Sequence, residues 1–159
     1  MLKKTFLFIS LIFFSCISFS QRKQTDVGII KDGVPQMTFD FEEMKTIFDN
    51  YLAQQKISTH IVDFEIIKDT VSGTKDSIIF MLLGYNELND IKVGVDLVLK
   101  ADILVGDIDT EIYGSATTCS GCRRGCNPKH EIDPEGDIVG YCTKCRSSGN
   151  CIKSESARH

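Results

Sequence analysis

The chain has 159 residues, 42% of them hydrophobic, a formal net charge of −4 and seven cysteines. That length supports one domain with a real core. An acidic balance excludes nucleic acid as a partner, because phosphate binding needs a clustered basic face.

The N-terminus predicts export. Lys3 and Lys4 supply a positive start, and Thr5 to Phe14 form an uncharged run of mainly Phe, Leu and Ile. This run is shorter than the ~20 apolar residues that span a bilayer as a helix. Ser18 and Ser20 are spaced as the −3 and −1 residues of a signal peptidase site, so residues 1–20 read as a signal peptide cleaved before Gln21. A buried N-terminal helix is disfavoured because the run has no polar face. Cys16, after Phe14-Ser15, loosely resembles a lipobox cysteine, and lipidation there would anchor the protein to a membrane. The better-matched Ser18-Phe19-Ser20 site favours release into the periplasm or medium. No later stretch approaches membrane length, so no transmembrane segment is expected in the mature chain.

Residues 21–37 read as a polar lead-in, with Val27 to Ile30 as a short edge strand. A helix is predicted over 41–55. Asp40 caps it, Glu43 completes a capping box, Phe39 and Met44 can staple it, and Phe41, Met44, Ile47, Phe48, Tyr51 and Leu52 recur every three or four residues. Strands follow. Residues 59–69 alternate, placing Val62, Phe64 and Ile66 on one face. Residues 77–85 are apolar on both faces, as in a central strand. Residues 91–100 put Ile91, Val93, Val95, Leu97 and Leu99 inward and Lys92, Asp96 and Lys100 outward. A further strand is expected around Ile108, Ile112 and Tyr113. The expected fold is therefore α+β over residues 38–118: one amphipathic helix packed on an antiparallel sheet of three to five strands. The order of helix then strands resembles cystatin-like folds in outline, without their Gln-x-Val-x-Gly loop.

Residues 119–159 read as a separate, loop-rich cysteine module. Six cysteines fall between Cys119 and Cys151, and residues 21–118 have none. The charge divides at the same place: residues 21–118 carry 9 basic and 17 acidic side chains, and residues 119–159 carry 7 and 5. Two arms repeat imperfectly, Cys119-x2-Cys122-Arg123 then Gly125-Cys126, and Cys142-x2-Cys145-Arg146 then Gly149 and Cys151. Between them, Pro128, Pro134 and Gly136 mark a hairpin-like excursion.

Three chemistries fit the arms. Three disulfides suit an exported, even-numbered set with few apolar neighbours, although fifteen pairings are open. Zinc fits the two C-x2-C pairs, with Cys119, Cys122, Cys142 and Cys145 as thiolate ligands and Cys126 free to bridge Cys151. A redox dithiol could use Arg123 or Arg146 to lower a thiol pKa. Export favours disulfides.

Outside the arms the signals are weak. His130 reads as an exposed loop histidine or an extra ligand, and His60 as a partly buried strand histidine. Asp102, Asp107, Asp109 and Glu111 read as a solvated strand edge, lacking calcium-loop spacing. There is no phosphate loop, nucleophile elbow or His-Glu-x-x-His. The expectation is a non-enzymatic exported protein with a cross-linked tail, binding a protein or cell-envelope partner or serving envelope structure. No cofactor is expected except zinc in the competing reading, that of a metal-binding or thiol-redox protein.

Overall fold

The computed structural model describes residues 24–155 except 110, 113 and 146–148. The expected signal peptide with Cys16, and also Tyr113 and Arg146, lie outside these residues.

Strands β1 (Thr25–Lys31) and β2 (Val34–Met37) form a hairpin in the register Lys31↔Val34 to Gly28↔Met37. Asp32 and Gly33 turn it with positive φ, 53° and 78°. An Asp-Gly pair adopts this geometry at low cost, and its twist matches that of the strands. Helix α1 (Phe41–Gln54) follows, its first turn held by the Asp40 carboxylate, which accepts a hydrogen bond from the Glu43 amide at 2.9 Å. Next come β3 (Ile61–Thr70), β4 (Ile78–Asn86), β5 (Lys92–Lys100), β6 (Ile103–Gly106) and β7 (Ala116–Ser120). A hairpin of β8 (Pro128–Ile132) and β9 (Ile138–Cys142) precedes β10 (Ile152–Glu155).

These strands overturn the expected sheet of three to five strands under one helix, and with it the cystatin-like outline. Eight strands, β1 to β7 and β10, form one antiparallel sheet that curls into a nearly closed barrel. The count rises because short strands lie in the sequence flanking the long ones: the edge strand expected at Val27 to Ile30 extends into β1, the rest of the lead-in supplies β2, and the tail supplies β10. The strand expected around Ile108 and Ile112 is instead an isolated bridge between those two residues, with β6 before it and β7 after it. At the seam β2 returns beside β3 without a ladder joining them among the described strands.

The helix buries Met44, Ile47, Phe48, Tyr51 and Leu52 against the concave face of the sheet, including Val27, Ile61, Leu82, Val93, Val95 and Leu104. Burying each such side chain contributes about 1.5–3 kcal/mol before chain entropy is set against it. Phe64 is the centre of this core. The rings of Phe39, Phe41 and Phe48 meet it edge-on with centroids 5.5, 5.4 and 5.0 Å away. Gly84, paired with Phe64, leaves room for Phe48, since a Cβ there would lie 2.9 Å from the Phe48 ring.

Strand β3 departs from simple alternation. Its register with β4 shifts between Ile61 and Asp63, so Ile61 and Phe64 both face inward while Val62 is exposed. A bulge adds one residue and reverses the face of what precedes it. Strand β5 buries Val93, Val95 and Leu97 as expected, but Leu99 is exposed near the strand end.

Candidate functional site

Strand β5 is a fork. One edge pairs with β4 over residues 92–97. On the other edge Lys92–Val95 pair with β7 and Leu97–Lys100 pair with β6. Asp96 stands in the crotch, where its amide donates to the Ser115 carbonyl at 3.0 Å.

The pleat puts Met81, Leu83, Gly94 and Asp96 on the face away from the helix, because Leu82 and Val95 face the core. The β8–β9 hairpin covers this second face. Pro128 packs over Gly94, and Gly140 lies against Thr117 so closely that a Cβ would collide with the threonine hydroxyl. Polar contacts fix the position of the layer. Lys129 pairs with Asp69 at 2.8 Å, His130 Nε2 meets Asp96 at 2.7 Å, and Lys92 donates to Asn127 Oδ1 at 2.6 Å. Ser72 donates its amide to the His130 carbonyl at 2.8 Å, and its hydroxyl lies 3.1 Å from that of Tyr141. An acidic body thus meets a more basic tail through specific pairs.

The six cysteines fasten the rest. Cys119 bonds to Cys142, Cys122 to Cys145 and Cys126 to Cys151, with Cα separations of 5.7, 5.5 and 6.3 Å. Each cysteine of the first arm joins the cysteine of the same rank in the second. The first-arm member of every bridge is buried and the second-arm member is half-buried. Neither C-x2-C pair closes on itself as a redox dithiol would. In this oxidised form the sulfurs of Cys119, Cys122, Cys142 and Cys145 are bonded to one another, whereas zinc binds thiolates. Disulfides of this kind fit an oxidising, extracytoplasmic environment.

Where the hairpin layer ends, the crotch opens into a cavity of about 490 Å3. Ile79, Val98, Val105 and Ile138 give it apolar walls, and Asp96, Asp107 and Ser115 give it polar ones. Gln24 reaches over from just before β1, donating to Asp107 Oδ1 at 2.8 Å and accepting from Lys100. A size in the small-molecule range, apolar walls and a few convergent polar groups are the usual attributes of a binding pocket.

The two histidines exchange the surroundings read for them. His130 is 1% exposed in β8, buried between the layers by its contact with Asp96, and its Nδ1 has no partner among the described residues. His60 precedes β3 in the open, with Nδ1 2.8 Å from the Asp49 carboxylate. Of the acidic run, Asp107 lines the crotch cavity and Asp109 lines a different one beside Asp40 and Glu43. Asp102 lies in the β5–β6 turn, where its carbonyl accepts from the Ile30 amide.

Sequence reasoning missed Asp96, placing it in solvent because it alternates with core residues. Its true environment is made by His130, which is 34 positions away. Asn86 was missed as well. It is buried at the β4–β5 turn, where its side-chain oxygen accepts from the Asp90 and Ile91 amides and its nitrogen donates to Asp90. No helix among the described residues is long and apolar enough to cross a membrane. No family model matches this chain, and neither the curated proteins nor the solved structures yield a significant match.

Proposed function

We propose that this is an exported, non-enzymatic binding protein of the cell envelope, released by cleavage before Gln21, with the barrel as scaffold and the crotch cavity as its binding surface. The observation that carries this reading is the cavity itself, set where the forked strand meets a layer fastened by three disulfides. Such fastening keeps Ile138 in a fixed position across from Asp96 of the barrel, without a large core beneath the tail, and preorganised walls lower the entropy cost of binding. Among the described residues the histidine–carboxylate pair between the layers is His130–Asp96: the imidazole is buried there while Asp96 also lines the cavity, so His130 is placed to hold the layers together rather than to exchange protons with a substrate.

Titration of the mature chain with soluble peptidoglycan fragments, and separately with phosphatidylethanolamine–phosphatidylglycerol vesicles, tests this by amide NMR. Saturable shifts at Gly114, Ser115 and Ile138 from either probe, weakened by Ile138→Glu, are expected. If neither probe moves those resonances, or if the protein turns over generic ester, peptide or phosphate substrates, the reading is wrong.

A further inference from the structure

The sulfurs are not three isolated pairs. Those of Cys119, Cys142 and Cys151 lie within 4.8 Å of one another, and so do those of Cys122, Cys126 and Cys151. Cys151 belongs to both groups, so the Cys126–Cys151 bridge lies between the other two. Cys151 is also half-buried, whereas Cys126 is 1% exposed.

We propose that the three bridges form one thiol–disulfide exchange relay with Cys151 as its hub and as a site of S-thiolation by small thiols. The chemistry balances at each step. An external thiolate attacks Cys151 Sγ, the more exposed sulfur of its bridge, forming a mixed disulfide there and expelling Cys126 as a thiolate. The Cys126 thiolate then attacks the neighbouring Cys122 Sγ, forming Cys122–Cys126 and releasing the Cys145 thiolate to the surface. Alternatively, a second external thiol resolves the mixed disulfide, leaving as its own disulfide and freeing the Cys151 thiolate. That thiolate attacks Cys142 Sγ, forming Cys142–Cys151 and releasing Cys119, or attacks Cys119 Sγ and releases Cys142. The internal steps change only the partners. The two electrons of net reduction come from the two external thiols. A reductant that opens Cys119–Cys142 first reaches the same hub, because Cys119 is within 4.8 Å of Cys151.

This relay is independent of what the cavity binds, so loss of cavity binding leaves it standing. The test treats the mature chain anaerobically with sub-stoichiometric glutathione, quenches with acid, alkylates and maps the pairs by non-reduced peptide mass spectrometry. The first adduct is expected on Cys151, and Cys122–Cys126 together with a Cys151 bridge to Cys119 or Cys142 should appear among the earliest intermediates. A double variant, Cys126→Ser with Cys151→Ser, lacks the hub. Its two remaining bridges should yield scrambled pairs roughly tenfold or more slowly, since a thiolate held beside its target acts at millimolar or higher effective concentration. The wild-type map decides the question even if that variant folds poorly. Partly reduced wild-type protein containing only the native pairs would overturn the relay, as would a first adduct spread evenly over Cys142, Cys145 and Cys151.

Discussion

The barrel and the cysteine tail solve the same problem by different means. In the barrel, order comes from many interchangeable contributions: among the described residues, sixteen buried ones share one apolar cluster around Phe64 and α1. In the tail, the buried cluster consists of Cys119, Cys122 and Cys126, with their bonded partners against it. Burial spreads stability over many positions, so no single position decides it. Cross-links concentrate stability in a few atoms and act mainly by restricting the unfolded chain. The contrast explains how a hairpin with exposed Ile132 and Ile138 keeps its place on the sheet.

Reduction of the tail should separate the two regimes most strongly. Each bridge closes a loop of 23 to 25 positions and is worth about 3 kcal/mol. Before reductant is added, all six cysteines should resist alkylation. With excess dithiothreitol, amide exchange should accelerate across β8, β9 and β10 while α1 and β4 stay protected. Uniform loss of protection would mean that the barrel cannot hold without its clamp. The same issue can be put to a truncated chain of residues 21–118, which should unfold cooperatively with reduced stability because Met81 and Leu83 lose their cover.

The converse perturbation is Phe64→Ala, expected to lower stability by about 3–5 kcal/mol through lost burial and a cavity among three rings. Chemical denaturation measures the loss. Disulfide mapping should return the native pairs, and a scrambled map would show that the barrel templates the tail.

Smaller changes probe the seam between the layers. Gly140→Ala places a methyl on the Thr117 hydroxyl and should cost about 1–3 kcal/mol. Combining it with Thr117→Gly should restore part of the loss, read from denaturation midpoints. No recovery would remove the close approach as the cause.

The smallest expected effect is alkaline. Desolvation, then the hydrogen bond to Asp63 at 3.0 Å and the charges of Asp63 and Glu65, raise the Tyr85 hydroxyl above its ordinary pKa. A raised folded value means that the contribution is fully present below about pH 10 and is lost as pH rises through the folded value. Tyr85→Phe should therefore flatten the stability profile in that window. An unchanged profile would assign the alkaline slope elsewhere.

Local signals were legible and long-range ones were not. The three-and-four spacing from Phe41 to Leu52 and the cap at Asp40 located α1 to within a residue, because helices are built from neighbours. The alternation from Val93 to Leu97 likewise located β5. The Asp32-Gly33 turn was also on display, and reading it as a hairpin signal would have put 25–37 in the sheet. By contrast, the bulge at Ile61–Asp63 depends on β4, and the burial of His130 depends on Asp96. The six cysteines announced cross-linking, but the choice among pairings was made by the β8–β9 hairpin, which brings the second arm alongside the first.

The position of Cys151 immediately before β10 also sets how the molecule carries mechanical load. A pull on the chain beyond Glu155 strips β10 from β7 one ladder rung at a time, since the strand is held there by its pairing from Ile152↔Ser120 to Glu155↔Thr117. The stripping stops at Cys151, where tension passes through sulfur to Cys126 and so into the buried side of the tail. Strand β10 is therefore a short extensible leash on an inextensible knot, and tension applied to it arrives at the same sulfur that an external thiol would attack.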